Sequence, residues 1–282
     1  MTTQTHVKNA DPVRDIIKHY ETVAEAGRLS QGTGQLEFAR TQELLRRFLP
    51  PPPAVVFDVG GGPGAYACWL AQQGYEIHLV DPVPLHVEQA WRASREQPAH
   101  PLASALVGDA RRLQRADSSV DAVLLLGPLY HLTERQDRVQ ALGEARRILR
   151  EGGLVLAVGI CRFASLLDGL ARGYLDDPQF ARMVERDLRD GQHRNLTNNS
   201  PYFTTAFFHH PEELAAEIRE AGLRHEKTLA VEGPGWLLQN FAEHWEDAGR
   251  RARLLQAVRS LEDEPSVLGV SAHLMAVARK DS

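Results

Sequence analysis

Short apolar runs alternate with segments of helical periodicity in the middle of the chain, and this alternation predicts the fold. The predicted strands are AVVFDV (54–59), EIHLVD (76–81), ASALVGD (103–109), VDAVLLLG (120–127) and GLVLAVGI (153–160). The predicted helices between them are AYACWLAQQ (65–73), PLHVEQAWRASRE (84–96) and QDRVQALGEARRIL (136–149). Strands that alternate with helices are typical of parallel βαβ units with helices on both sheet faces. We therefore predict a doubly wound, Rossmann-like α/β domain.

The two ends of the chain depart from this alternation. Residues 12–49 read as helical and stop at four consecutive prolines, 50–53, which cannot continue a helix. RHEKTLAV (224–231) and SAHLMAVAR (271–279) read as further strands, which predicts a mostly parallel sheet of seven strands. The segments 161–210 and 232–268 read as helical insertions, which on such a sheet overhang the ligand crevice. We expect an N-terminal helical lid (1–50), a core (54–160), a helical lid insertion (161–210) and a C-terminal part of the core (211–282).

Composition and charge exclude several classes of protein. The chain has 282 residues, 43% hydrophobic and 24% charged, with a net charge of −5, which does not favour nucleic acid. Neither a membrane span nor a signal peptide is evident, and we expect a cytoplasmic protein without a membrane partner. Cys68 and Cys161 are the only cysteines, which argues against a disulfide framework and a structural zinc site.

A cluster of glycines follows the first predicted strand, in VVFDVGGGPGAY (55–66). A strand end, a glycine-rich loop and a helix start are the ingredients of a nucleotide site. A phosphate-binding P-loop is excluded because the Gly-Lys-Ser/Thr ending is missing. A dinucleotide dehydrogenase fits better, since Gly60, Gly62 and Ala65 match G-x-G-x-x-A and Asp81 lies 21 residues beyond Gly60. The loop alone leaves this alternative open.

Five motifs in order resemble those of the class I methyltransferases that use S-adenosyl-L-methionine (SAM). FDVGGGPG resembles their first motif, [DE]-x-G-x-G-x-G, and HLVDP resembles their second. LVGDARRL, DAVLLLGPLYHL and ARRILREGGLVLAV resemble the motifs that follow. The resemblance covers residues 55–160 well and the two ends loosely. GPLYHL, EGPGWL and the chain length also bear a weak likeness to indole C3-methyltransferases of pyrroloindoline alkaloid pathways.

The resemblance implies SAM as cofactor and S-adenosyl-L-homocysteine (SAH) as product, and from the cysteines and histidines we expect no metal. Asp58 would face the ammonium region of the methionine part, beside loop glycines that admit that part against bare backbone. Asp81 would bind the ribose hydroxyls, and Asp109 the adenine amino group beside the Ala110 amide. The residues implied to line the cofactor site are Asp58, Gly60, Gly62, Gly64, Asp81, Pro82, Asp109, Ala110 and Gly127. Arg40 would pair with the cofactor's carboxylate, or would be a surface charge.

Candidates for catalysis are fewer. His131, in GPLYHL, would be a general base, because its ordinary pKa suits deprotonation near neutral pH, or it would line the cofactor pocket. Tyr20 resembles the lid tyrosine that covers the methionine part of SAM, with core packing as the alternative. His209 would face the crevice, although HHPEEL reads first as a helix start with Pro211 at its first position.

We therefore expect a methyltransferase that acts on a small aromatic or hydrophobic metabolite of bacterial specialised metabolism. The methyl acceptor would be an oxygen, a nitrogen or an indole carbon. An RNA or protein methyltransferase is the alternative within the family, but it would want a basic face that the sequence lacks. An NAD-dependent dehydrogenase and a non-catalytic SAM-binding subunit are alternatives from other classes. The expected partner is a small-molecule acceptor, and a homodimer remains open.

Overall fold

A mostly parallel sheet with buried apolar side chains on both faces forms the body of the molecule. The computed structural model describes residues 25–197 and 199–281, together with Ile17 and Tyr20. The strands are β1 (Val55–Val59), β2 (Glu76–Asp81), β3 (Ser104–Val107), β4 (Val120–Leu125), β5 (Leu149–Cys161), β6 (Gln192–His193), β7 (Ala206–His209), β8 (Arg224–Ala230) and β9 (His273–Arg279). The helices are α1 (Gly34–Phe48), α2 (Ala65–Gln72), α3 (Pro84–Glu96), α4 (Pro128–His131), α5 (Arg135–Ile148), α6 (Ala164–Arg172), α7 (Pro178–Asp190), α8 (Pro211–Glu220), α9 (Phe241–Glu246) and α10 (Ala248–Leu261).

The order of the strands fixes where a ligand can bind. Strands β3, β2, β1, β4 and β5 lie side by side and run parallel. β9 runs antiparallel to both β5 and β8. The carboxyl ends of β1, β2 and β4 therefore meet at one edge of the sheet, and the chain leaves β1 and β4 for helices in opposite directions. In open α/β sheets, ligands bind in the crevice at that edge.

Burial explains why the central strands read as continuous apolar runs. A parallel strand covered on both faces has no solvent-facing side, and β4 shows this pattern, since five of its six residues are buried. The exception, Asp121, is half-buried and accepts a hydrogen bond from the N–H of Val55 at 2.8 Å. The doubly wound, mostly parallel α/β fold predicted from the sequence is confirmed.

Two details of the sheet differ from the prediction. The segment 161–210, predicted as helical, also contains β6 and β7, and β7 pairs with the end of β5 through Ile160 and Phe208. The aromatic residues of AFFH extend the sheet there because both of its phenylalanines become buried. The fifth strand begins earlier than predicted, because β5 starts at Leu149 instead of Gly153, and the register against β4 shifts near its start.

The N-terminal segment is interrupted in its described part. Residues 12–49 were expected to be helical, but a 3-10 turn at Arg28–Ser30 precedes α1, which begins only at Gly34. Gly27 and Gly32 adopt positive φ angles of 91° and 48°, which a continuous right-handed helix does not allow. Before residue 25, the structure describes only Ile17 and Tyr20, both in helical conformation.

Candidate functional site

A cavity of about 490 Å³ opens at the carboxyl edge of the parallel strands. The loop after β1, the end of β2, the segment after β3 and the start of α4 line one part of it. The volume falls within the range typical of small-molecule sites. Of the predicted site residues, those that line the cavity are Tyr20, Asp58, Gly60, Gly62, Asp81, Pro82, Asp109, Ala110, Gly127 and His131.

The glycine loop after β1 is shaped by backbone angles and by a close neighbour. Gly60 and Gly62 have φ angles of 69° and 55°, in the left-handed region that favours glycine. A Cβ at Gly60 would lie 2.7 Å from the ring of Pro128, at the start of α4. Gly64 does not line the cavity. It sits at the start of α2, where a Cβ would lie 3.1 Å from the Cβ of Ala90, so this glycine serves helix packing.

Asp81, at the end of β2, is held rigidly by the protein. One carboxylate oxygen accepts hydrogen bonds from the N–H of Val83 at 2.9 Å and from Nδ1 of His86 at 3.1 Å. The other accepts from the N–H of Gly62 at 2.9 Å. His86 was not singled out from the sequence, although its position five residues after Asp81, in the first turn of α3, is compatible with this contact. The Asp81 carboxylate therefore has a fixed orientation at the cavity wall.

Asp58, at the end of β1, is a buried carboxyl group with an unsatisfied oxygen atom. It is 1% exposed, and its Oδ2 has no hydrogen-bond partner among the described residues. Burial, followed by the charge of Asp81, raises its pKa to about 7. A buried carboxylate without a partner is costly, so a cationic group that entered the cavity beside Asp58 would be stabilised.

Asp109 lines the same cavity and follows β3. Burial acts to raise its pKa, but hydrogen bonds from the side chain and backbone of Arg111, together with the Arg111 charge, hold the pKa below its usual range. Arg111 is bound to Asp109 at 2.6 Å and to Asp137 at 3.0 Å. Asp109 is thus an ionised acceptor at the cavity wall, next to Ala110.

Tyr20 and His131 meet over the cavity. The Tyr20 hydroxyl and His131 Nε2 are 3.0 Å apart, and the Tyr20 ring also packs edge-on against His86, with ring centroids 5.0 Å apart. Burial is the main cause that raises the pKa of Tyr20 well above its usual value, so its hydroxyl stays protonated. His131 is buried as well. Together they form a wall that joins the N-terminal segment to α4.

Two predicted residues lie elsewhere, and the structure corrects both expectations. Arg40 does not line the cavity: it is fully buried, pairs with Glu43 and Glu262, and donates to the carbonyl oxygen of Val231 at 3.2 Å. It is neither a ligand of the cavity nor a surface charge, because Glu43, one turn along α1, and the distant Glu262 pair with its guanidinium.

His209 is also absent from the cavity wall. It is fully buried, with Nε2 3.3 Å from a carboxylate oxygen of Glu217, and Glu217 in turn receives a two-pronged hydrogen bond from Arg138. Burial is the main cause that lowers the pKa of His209. This network ties β7 to α8 and α5, which makes His209 a residue of the core.

Four polar residues that sequence reasoning missed lie at the outer end of the cavity. Arg28 donates to both carboxylate oxygens of Glu37, at 2.6 and 2.9 Å. His273 Nδ1 lies 2.6 Å from Glu232, whose second oxygen accepts from the His273 N–H and the Ser271 hydroxyl, both at 3.0 Å. Only the alignment of β8 and β9 brings Glu232 and His273 together, and no local sequence signal announces it.

These polar pairs border a second, outer chamber of about 1060 Å³. Arg28, Glu37 and His273 line both cavities, whereas the glycine loop and the strand-end carboxylates line only the inner one. The walls of the outer chamber come from the N-terminal segment, from α6 and from the segment around Trp236 and Phe241.

Comparisons with known proteins point to one family. Residues 57–157 match a family model described as a methyltransferase domain. An uncharacterized methyltransferase of Mycobacterium tuberculosis is 34% identical over 111 residues, which cover 39% of this chain and 42% of that protein. Methyltransferase GfsG of Streptomyces halstedii is 30% identical over 138 residues, which cover 49% of this chain and 45% of that protein. The chain thus spans less than half the length of the curated relatives it matches.

Solved structures share the fold at low identity. A SAM-dependent methyltransferase of Thermotoga maritima, described as a possible histamine N-methyltransferase, matches with a TM-score of 0.58 and 20% identity over 94% of this chain and all of that one. The geranyl diphosphate C-methyltransferase of Streptomyces coelicolor, solved with Mg²⁺, a substrate analogue and SAH, matches with a TM-score of 0.56 and 15% identity over 88% of this chain and 77% of that one. Among the residues that the structure describes, no helix has the length and apolar character needed to cross a membrane.

Proposed function

We propose that this chain, whose residues 57–157 match a methyltransferase-domain model, is a class I SAM-dependent methyltransferase that transfers a methyl group to a small aromatic or hydrophobic metabolite of bacterial specialised metabolism. The observation that carries the proposal is the line of three carboxyl groups along one cavity, Asp58, Asp81 and Asp109, each at or just after the end of a parallel strand. The match to a methyltransferase domain argues against the NAD-dependent dehydrogenase alternative. In this proposal the atom that accepts the methyl group is an oxygen, a nitrogen or an indole carbon.

The residues present fit the cofactor group by group. Asp58 is a buried carboxyl group whose Oδ2 lacks a partner among the described residues, and the ammonium of the methionine part would supply one. Asp81, fixed by Gly62, Val83 and His86, would bind the ribose hydroxyls. Asp109 would accept from the adenine amino group beside Ala110. When bound, the cofactor supplies an electrophilic methyl group on a sulfonium.

The protein's own contribution is to bind, orient and exclude water. A methyl acceptor has to lie about 3–3.5 Å from the methyl carbon in the correct direction, which is where an enforced geometry lowers the barrier most. Tyr20 and His131 would close the cavity on one side. In the proposal their contact makes His131 part of this wall rather than a free general base, since Nε2 faces the Tyr20 hydroxyl.

The chamber walls support a small organic acceptor. Phe38, Tyr130, Val158, Val231 and Trp245 line the inner cavity, and Trp236 and Phe241 line the outer one. An apolar, aromatic lining with a few polar groups is typical of small-molecule sites. The geranyl diphosphate enzyme among the structural neighbours acts on a small molecule, as its description states.

Calorimetric titration with SAH, with NADH as a parallel control, tests the cofactor. We expect SAH alone to bind in the micromolar range, and binding of NADH alone would overturn the proposal. The transfer itself is tested by incubating the protein with SAM and a panel of phenols, amines and indoles. Mass spectrometry should then detect a product about 14 Da heavier than its acceptor, the mass of one added CH₂. If SAH binds but mass spectrometry detects no methylated small molecule, the acceptor class in the proposal is wrong.

A further inference from the structure

The outer chamber is the part of the site that the cofactor-binding segments do not reach. It joins the inner cavity through Arg28, Glu37 and His273. An acceptor that reaches the methyl group from the outer chamber has to pass this boundary. The charges at the boundary therefore face any acceptor that enters from the outer chamber.

Negative charge prevails at this boundary. Three carboxylates face two cations there: Glu25 and Glu37 hold Arg28, at 2.7 and 2.6 Å, and Glu232 holds His273. An imidazole nitrogen of His273 and one carboxylate oxygen each of Glu37 and Glu232 lie within 4.8 Å of one another. Arg28 bridges both oxygens of Glu37, so the cluster already holds an organic cation through N–H donors.

The electrostatics of His273 agree with this picture. Burial acts to lower its pKa, yet the charges of Glu232 and Glu37 raise it to about 9 against an opposing effect of Arg28. Tyr130, with its ring centroid 6.4 Å away, stays neutral because burial raises its own pKa. The carboxylates thus hold a proton on a group that burial alone would deprotonate, and the field at this point favours a positive charge.

We propose that the acceptor is an amine, that its nitrogen binds between Glu37 and the Glu232-held His273, and that His273 takes up the proton that the amine must lose. This inference rests on the proposed methyl transfer and names the acceptor class for that site. The aromatic body of the amine would lie in the outer chamber against Trp236, whose indole N–H is fixed on the carbonyl oxygen of Val270 at 2.8 Å.

The protons and electrons balance in three steps. An ammonium that enters beside protonated His273 is a like charge, so His273 releases its proton to solvent as the amine binds. Neutral His273 then accepts a proton from the ammonium, which leaves a lone pair on nitrogen. That pair forms the new N–C bond, the electrons of the C–S bond go to sulfur, and the products are a methylated ammonium and a neutral thioether. Glu37 and Glu232 stabilise the cation throughout.

Binding of three probes of similar size to the SAH complex tests the inference. The probes are phenethylamine, 2-phenylethanol and 3-phenylpropionate, measured by calorimetry at pH 8. We expect the amine to bind about 10-fold or more tightly than the alcohol, as a charged hydrogen bond does. Equal affinities, tighter binding of the carboxylate, or no binding of the amine would each overturn the inference.

Variants locate the preference. Glu37→Gln and Glu232→Gln should each bring the amine affinity down to that of the alcohol while SAH still binds. The matched control is Glu220→Gln. Glu220 is exposed, lines neither cavity and pairs with Arg135 at a distance of 2.7 Å, so this variant should keep the full preference for the amine. An unchanged preference in both Glu37→Gln and Glu232→Gln would place the amine elsewhere and overturn the inference.

Proton release gives a second, independent readout. Calorimetry at pH 8 in two buffers of different ionisation enthalpy should show a proton released on amine binding, and His273→Gln should abolish that release. Absence of release in the unaltered protein would overturn the role of His273 even if the Glu232→Gln variant failed to fold. Loss of SAH binding in the unaltered protein would speak against the proposed function, whereas SAH binding without an amine preference would speak only against this inference.

Discussion

The Asp81 carboxylate accepts a hydrogen bond from the N–H of Gly62 at 2.9 Å, so the end of β2 holds the glycine loop that follows β1. The same carboxylate also fixes the start of α3 through Val83 and His86. One side chain thereby sets the shape of the loop and presents an oxygen to the cavity. Its removal should therefore release the glycine loop and the start of α3 as well as remove a contact to the ligand.

We predict that Asp81→Ala weakens SAH binding by about 1.5–3 kcal/mol, the usual value of a hydrogen bond to a charged group. Calorimetric titration measures the change. Asp263→Ala, at an exposed aspartate in the turn after α10, is the control and should bind SAH normally. Unchanged affinity in a folded Asp81→Ala variant would remove Asp81 from the ribose site.

We expect Asp58 to lower the stability of the folded protein and to strengthen its binding of SAH. Its pKa is raised to about 7 in the folded protein, so the folded state holds a proton that the unfolded state releases at lower pH, and stability falls as the pH rises toward 7. We therefore predict that Asp58→Asn melts at a higher temperature than the unaltered protein at pH 8, with little difference near pH 4. The variant should also bind SAH more weakly, because the amide cannot pair with an ammonium. A lower melting temperature at pH 8 would contradict this account.

The contact between Tyr20 and His131 predicts that both side chains act on the cofactor cavity. Tyr20→Phe should weaken SAH binding by about 0.5–1.5 kcal/mol, the usual net value of a hydrogen bond. His131→Ala should lower SAH affinity and turnover together. Binding and single-turnover measurements separate these effects: a loss of turnover of about 10²–10⁴-fold with intact SAH binding would instead identify His131 as a general base.

Arg40 should matter for stability and not for the cofactor. Arg40→Ala removes a fully buried cation, but Glu262 keeps Arg47 and Glu43 keeps Arg259. We therefore predict a loss of about 1.5–3 kcal/mol in the free energy of unfolding, the usual value of a hydrogen bond to a charged group. Arg47→Ala is the control, because its exposed guanidinium pairs with the same carboxylate and such pairs contribute about 1 kcal/mol or less. Denaturant unfolding measures both. If the Arg40→Ala protein folds with normal stability but fails to bind SAH, Arg40 would instead be the partner of the cofactor's carboxylate.

The parts of the site that the sequence predicts are those that the sheet brings together by itself. Asp58 and Asp81 lie at the ends of neighbouring parallel strands, and Asp109 follows the next one, so strand assignment alone brings them to one edge. The glycines with positive φ angles are recognisable in the sequence because they cluster directly after the first predicted strand. For these residues, local pattern and topology contain the same information.

The parts that the sequence does not predict depend on pairings between distant segments. Arg40 pairs with Glu262, which is 222 positions away. Glu217, the partner of His209, also binds Arg138, which is 79 positions away. Charge and residue type suggested ligands, but burial decided that these groups would neutralise each other. The pair of Glu232 and His273 likewise requires the alignment of β8 with β9, which no motif reveals.

The outer chamber is lined by four separate stretches of chain, around Arg28, Asp168, Trp236 and His273, and all four lie outside the parallel strands β1 to β5. None of these stretches contributes to the hydrogen bonds that Asp81 makes with the glycine loop and the start of α3. Substitutions in the loop stretches of the outer chamber should therefore change which molecules enter it, while the half of the site that contains the glycine loop keeps its own contacts.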